Sequence, residues 1–169
     1  MKVIEALKKI KYNNLKVADL TAKIAENSAN MESEGSKYKD SKAKVAEWTQ
    51  SIYDTNKDSN DLLIRVQKTN LVTVLAVEIA GKVVNKTVAE WINRRRVFVD
   101  LEAAAYRGMT SRRLQQKAVK NDKGEIVIDN VVYNFDPEVR DAALDILSQE
   151  KYLIDSALEI SNAVTDLVN

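Results

Sequence analysis

DPEVRDAALDILSQEKYLIDSALEISNAVTDLV, residues 136–168, is the stretch that decides the fold. Asp136 can cap free backbone N–H groups, and Pro137 fits the first position of a helix, where no hydrogen bond is lost. Behind them Val139, Ala143, Ile146, Glu150, Leu153, Ala157, Ile160, Val164 and Leu167 recur at spacings of four and three. That rhythm keeps one stripe on one side of a helix for roughly four heptads. A second row, Leu147, Ile154 and Leu158, widens the stripe beyond a two-helix seam and asks for several helical neighbours.

Composition agrees with long, water-facing helices. Of 169 residues, only four are Gly and one is Pro, while 30% are charged and 45% apolar. Length and core size predict a single domain, 1–169. The chain has neither Cys nor His. Disulfides, thiol nucleophiles, zinc sites built on sulfur or imidazole, and histidine acid–base chemistry are thereby excluded. Hard-cation binding by carboxylates survives that filter. Asp141 and Asp145 share a helix face, but a solvated face explains them more simply. No phosphate-cradling Gly-rich loop and no nucleophile elbow is present. The expectation is a non-enzymatic chain without cofactor or metal.

Upstream of the last helix the chain reads as helix, helix, short strand, helix, hairpin. Residues 2–70 form a helical hairpin broken at 30–39 by a loop containing Gly35. Its first helix carries Val3, Leu7, Ile10, Asn14, Val17, Thr21 and Ile24 on one stripe. Its second carries Val45, Trp48, Ile52, Leu62 and Val66, interrupted by Thr55 and Ser59. Residues 71–86 are rich in β-branched side chains and end near Gly81, which predicts a short strand with a turn, with a buried helix as the alternative. Thr87-Val88-Ala89-Glu90 has capping-box spacing and opens a helix through residue 107. Residues 112–135 read as a β-hairpin turning at Asn121-Asp122-Lys123-Gly124. The expected class is mainly α, a bundle of long antiparallel helices with a β-hairpin inserted before the C-terminal helix, 137–168.

Net charge is +1, but residues 82–123 carry +7 and residues 124–169 carry −8. A basic middle and an acidic end attract each other within one chain or between copies. Arg94, Arg95 and Arg96, followed by Arg107, Arg112, Arg113, Lys117 and Lys120, form the one clear basic segment. Phosphate binding along nucleic acid is one reading of it. Successive helical residues point about 100° apart, so the Arg triplet presents no flat surface, and pairing with the acidic helix is the preferred reading. Met1 to Lys9 is charged where a leader needs an apolar run. No segment reaches the roughly 18 apolar residues of a membrane span. A cytoplasmic location in the producing bacterium, or a virion if phage-encoded, is the expectation, with nucleic acid and membrane not expected as partners.

Lys2 to Leu7, Arg65-Val66-Gln67-Lys68-Thr69-Asn70, Gly81 followed by Thr87-Val88-Ala89-Glu90, Arg94-Arg95, and the Asp-, Glu- and Leu-rich helix from Asp136 to Val168 together resemble the septicolysin-like family of small helical bacterial and phage proteins. The resemblance implies a helical fold assembling into closed rings. The family name implies pore formation, for which residues 71–84 are the one apolar candidate. The leading expectation is therefore a structural protein that self-assembles into a homo-oligomer, a ring or shell, with itself and other virion proteins as partners. A toxin-like membrane-active protein and a nucleic-acid binder acting through 94–120 are the alternatives. The stripe Val139, Ile146, Leu153, Ile160, Val164 and Leu167 is expected to be buried, against the protein's own helices or a neighbour's.

Overall fold

In a computed structural model, which describes residues 1–168, the chain is mainly helical with two small antiparallel hairpin sheets. The elements are α1 (Val3–Asn27), α2 (Ser41–Val72), β1 (Val74–Ile79), β2 (Lys82–Thr87), α3 (Val88–Asn93), α4 (Val99–Arg107), β3 (Lys117–Lys120), β4 (Ile126–Asp129) and α5 (Pro137–Val164). A π-helical turn, Arg94–Phe98, joins α3 to α4. Two compact units divide the chain, one of residues 1–73 with 159–168, the other of residues 74–158.

The first unit is built on α1 and α2. Val3, Ala6, Ile10, Leu62, Val66 and Leu167 form its apolar cluster, an order that runs the helices in opposite directions. Polar side chains continue the seam. Asn13 Nδ2 donates to Ser59 Oγ at 3.0 Å, with both residues buried, and Thr55 is buried as well. Asn13, not Asn14, is thus the inward Asn, and Ala6 and Leu20 take the places expected of Leu7 and Thr21. The buried residues keep seven-residue steps in two rows, Val3–Ile10 and Ala6–Asn13–Leu20, so the second row follows the first by three residues where the sequence pattern suggests four. Ser59 lies inside with Asn13 as its hydrogen-bond partner. Trp48 is buried, and the Tyr38 ring meets it edge-on at 5.5 Å. Asp40 caps α2 by accepting from Ala43 N at 2.8 Å.

The chain ends close this unit. Lys2 and Asp166 form a β-bridge, Val3 N donates to Thr165 O at 3.0 Å and Leu167 N to Met1 O at 2.9 Å. The Lys2 ammonium donates to Val164 O and to Asp166 Oδ2, each at 2.7 Å. Val168 N donates to Thr69 Oγ1 at 3.0 Å. The last helix therefore stops at Val164, short of the expected 168, because residues 165–168 spend their backbone groups on α1 and α2.

The second unit starts with a complete hairpin. Residues 74–79 pair with 82–87 from Val74↔Thr87 to Ile79↔Lys82, so the apolar run continues into a second strand where a turn alone is expected. Ala80 and Gly81 both have positive φ, 49° and 75°, the geometry of a type I′ turn that matches strand twist. Thr87 then caps α3: Glu90 N donates to Thr87 Oγ1 at 3.2 Å, and Thr87 N to Glu90 Oε2 at 2.7 Å. Trp91, 0% exposed, packs with Val77 and Ile154, and its indole N–H reaches Leu75 O at 3.1 Å.

Val99, Ala103 and Leu147 form a further cluster. Trp91 and Val99 are eight residues apart, which a regular α-helix would set about 80° out of line. The π-turn, in which Val99 N donates to Arg94 O, takes up one extra residue and restores both to one face. The hairpin before α5 forms as expected but is shorter, 117–120 with 126–129, and Val131 to Phe135 are not strand. Asn121 shapes its loop by accepting at Oδ1 from Lys123 N and Glu125 N, both 3.0 Å. Asp136 caps α5 through Glu138 N at 2.8 Å, with Pro137 at the first position.

Candidate functional site

The basic segment and the acidic helix meet inside the second unit. Arg94, on the π-turn, spans two carboxylates at once. Its Nε donates to Glu150 Oε1 at 2.7 Å and its Nη2 to Glu150 Oε2 at 2.8 Å, while Nη1 and Nη2 hold Glu102. Glu150 is buried on α5. A lone carboxylate there would lose its hydration without return, and the two-pronged guanidinium supplies the hydrogen bonds that offset that loss. The hydrogen bonds that Arg94 donates to Glu150 and then to Glu102 hold it well above its ordinary pKa, against the opposing effect of burial. Arg94 in turn holds Glu102 below its ordinary value.

Two further pairs flank this one. Arg95 Nη2 donates to Asp155 Oδ2 at 2.9 Å, and its Nε lies 2.6 Å from Asp155 Oδ1. Lys151 Nζ donates to both oxygens of Asp100 at 2.9 Å, which lowers the Asp100 pKa. Two members of the Arg triplet are thus engaged by α5. Arg96, Arg107, Arg112, Arg113, Lys117 and Lys120 are exposed, and none has a carboxylate within ion-pair distance among the described residues.

Beside Arg94 lies an open cleft of about 350 Å³ lined by Lys86, Glu90, Asn93, Arg94, Phe98 and Glu102. Its charges are committed elsewhere: Glu90 to the cap of α3, Arg94 to two carboxylates, and Lys86 to the face of Trp91 at 5.2 Å. Among the described residues no three His, Cys, Asp or Glu side chains gather as a metal site. Asp141 accepts from Arg140 Nε at 2.8 Å, and that bond lowers its pKa.

The six-residue stripe expected on the last helix divides. Leu167 joins the first unit's core. Val139, Ile146, Leu153, Ile160 and Val164 are 62, 41, 36, 63 and 63% exposed. The protein's own core takes the neighbouring row instead: Leu147, Glu150, Ile154 and Ser161, with Ala157 and Leu158 partly covered. Heptad spacing alone fits two adjacent rows equally, and a charged Glu150 in the inner row disguised it. Its signal was there to use: an acid in an apolar row demands a cation, and Arg94 is that cation. The π-turn left no comparable mark.

No protein-family model and no curated protein matches the chain. A solved structure described as a functionally unknown conserved protein from Corynebacterium diphtheriae is similar over 99% of both chains, with a TM-score of 0.60 and 19% identity. At that identity the likeness concerns the fold alone.

Proposed function

We propose that the protein is a non-enzymatic structural subunit that self-associates, and that the outward apolar row of α5 belongs to its assembly surface. The observation that carries this reading is surface area. The chain exposes 12498 Å². A compact 19.0 kDa monomer exposes about 8,400 Å², and two separate compact domains of half that mass about 10,000 Å². Even against the larger figure the excess exceeds about 2,000 Å², the scale on which obligate homodimer interfaces begin. Much of it is apolar, including Tyr12, Leu15, Tyr53, Val139, Tyr152 and Ile160. In this reading α1, α2 and α5 are the long elements of a helical bundle in a ring or shell of the septicolysin-like kind, in a phage particle or its host.

The alternatives draw less support. Arg94 and Arg95, the centre of the basic segment, are turned to carboxylates of the same chain. The apolar run 71–84, the candidate for a membrane hairpin, contributes Val77 to the packing around Trp91, and no described helix is long and apolar enough to cross a membrane. Light scattering on the full chain tests the reading: an oligomer at micromolar concentration is expected, and a stable 19.0 kDa monomer sinks it.

A further inference from the structure

The β3–β4 hairpin is a projecting element with no core of its own. Every residue of β4 is exposed. The register places Ala118 opposite Ile128 and Lys120 opposite Ile126, so both isoleucines share one face, at 65 and 73% exposure. A lone two-stranded hairpin is marginal in water, and an apolar edge strand invites pairing unless something covers it. Around those isoleucines the hairpin and its approach are basic: Arg112, Arg113, Lys117, Lys120 and Lys123 against Asp122, Glu125 and Asp129.

The outer face of α5 is the complement. Val139, Ile146 and Leu153 follow at seven-residue steps and are exposed, with Ala142 alongside. A depression lined by Ser148, Gln149, Tyr152 and Leu153 lies on the same side. Glu138 and Asp145 border the row, and neither has a cation partner among the described residues. An apolar strip with acidic borders thus faces solvent, and so does an apolar strip with basic borders.

We propose that the β3–β4 hairpin is a docking arm that lays Ile126 and Ile128 on the Val139–Ile146–Leu153 row of α5 in a second copy, with Lys120, which shares the isoleucines' face, toward Glu138 and Asp145. The inference rests on the self-association proposed above and names its surface. Opposite charge borders fix the direction of approach, and covering both apolar strips removes part of the surface excess.

The test uses the full chain in two steps. Light scattering of the unmodified protein comes first, since a monomer there removes self-association itself. Given an oligomer, Ile126→Glu/Ile128→Glu should weaken it about tenfold or more, or reduce it to 19.0 kDa, with an unchanged circular dichroism spectrum. The natural chain lacks Cys, so Ile128→Cys and Ile146→Cys chains can be mixed and treated with a short bismaleimide. A covalent dimer whose peptide map joins position 128 of one copy to position 146 of the other supports the arm. Undiminished mass in the Glu variant, or no such link in an oligomeric mixture, overturns the docking while leaving self-association standing.

Discussion

Arg94 grips Glu150 with two nitrogens, at 2.7 and 2.8 Å, and thereby ties the π-turn to the middle of α5. Both side chains are largely shielded from water, 17 and 5% exposed. Removing one partner leaves the other buried and uncompensated. Arg94→Ala and Glu150→Ala should each destabilise the protein by about 3–5 kcal/mol, whereas Arg94→Met/Glu150→Leu should recover most of that loss. Urea titrations of the natural chain, the two Ala variants and Arg94→Ala/Glu150→Ala form the cycle, and additive losses would show that the two groups do not depend on each other.

The same helix offers a comparison of adjacent residues. Ile154 is 0% exposed and Leu153 36%. Ile154→Asp places a charge between Val77 and Trp91 and should abolish the cooperative thermal transition. Leu153→Asp should keep the fold and lower only the oligomer's mass. Equal melting temperatures for the two variants would mean that the inner and outer rows have been assigned the wrong way round.

Ala80 sits at φ 49° in a turn position that suits Gly or Asn, because its Cβ crowds the following carbonyl. Ala80→Gly should stabilise by roughly 0.5–1 kcal/mol, visible as a rise of a few degrees in melting temperature. Gly81→Ala, at φ 75°, should act in the opposite direction. Differential scanning calorimetry on both reads the sign directly.

Acid should loosen the ion pairs in a predictable window. Glu90, Asp100, Glu102 and Asp166 all titrate below their ordinary values of 4.5 for Glu and 3.8 for Asp. The causes, in order, are hydrogen bonds with Thr87, Lys151, Arg94 and Lys2. A carboxylate with a depressed folded pKa binds fewer protons folded than unfolded. It contributes stability above its unfolded pKa and loses it as pH falls through the folded one. With no His in the chain, stability should be nearly flat from pH 6 to about 7 and fall below about 4.5. A marked loss already at pH 6 contradicts this assignment.

Local signals carried most of the architecture. Thr87 with Glu90, Asp136 with Pro137, and the Asn121-to-Gly124 turn each name their structure through hydrogen bonds made within a few residues. What depended on partners distant in sequence was less legible. Whether Ile146 or Leu147 faces inward is decided by Val99 and Ala103, and the choice of Asn13 over Asn14 by Ser59. Strand β2 was hidden because Lys82, Asn85 and Lys86 look like loop residues until β1 supplies their pairing. In the basic segment the preference for pairing with the acidic helix, within the chain or between copies, was readable from charge balance. Which arginines pair was not, because it follows from the π-turn.

That turn also makes the chain unusually tolerant of shortening at one place. Trp91 and Val99 are held in phase by a helix carrying one residue more than it needs. Excising Val97, which is exposed, would give an ordinary α-helix with the two anchors seven apart, within about 20° of their present alignment. Deleting a residue inside a helix normally rotates everything beyond it by about a quarter-turn or more. Here the same edit would straighten the hydrogen-bond ladder and leave both packed faces where they are.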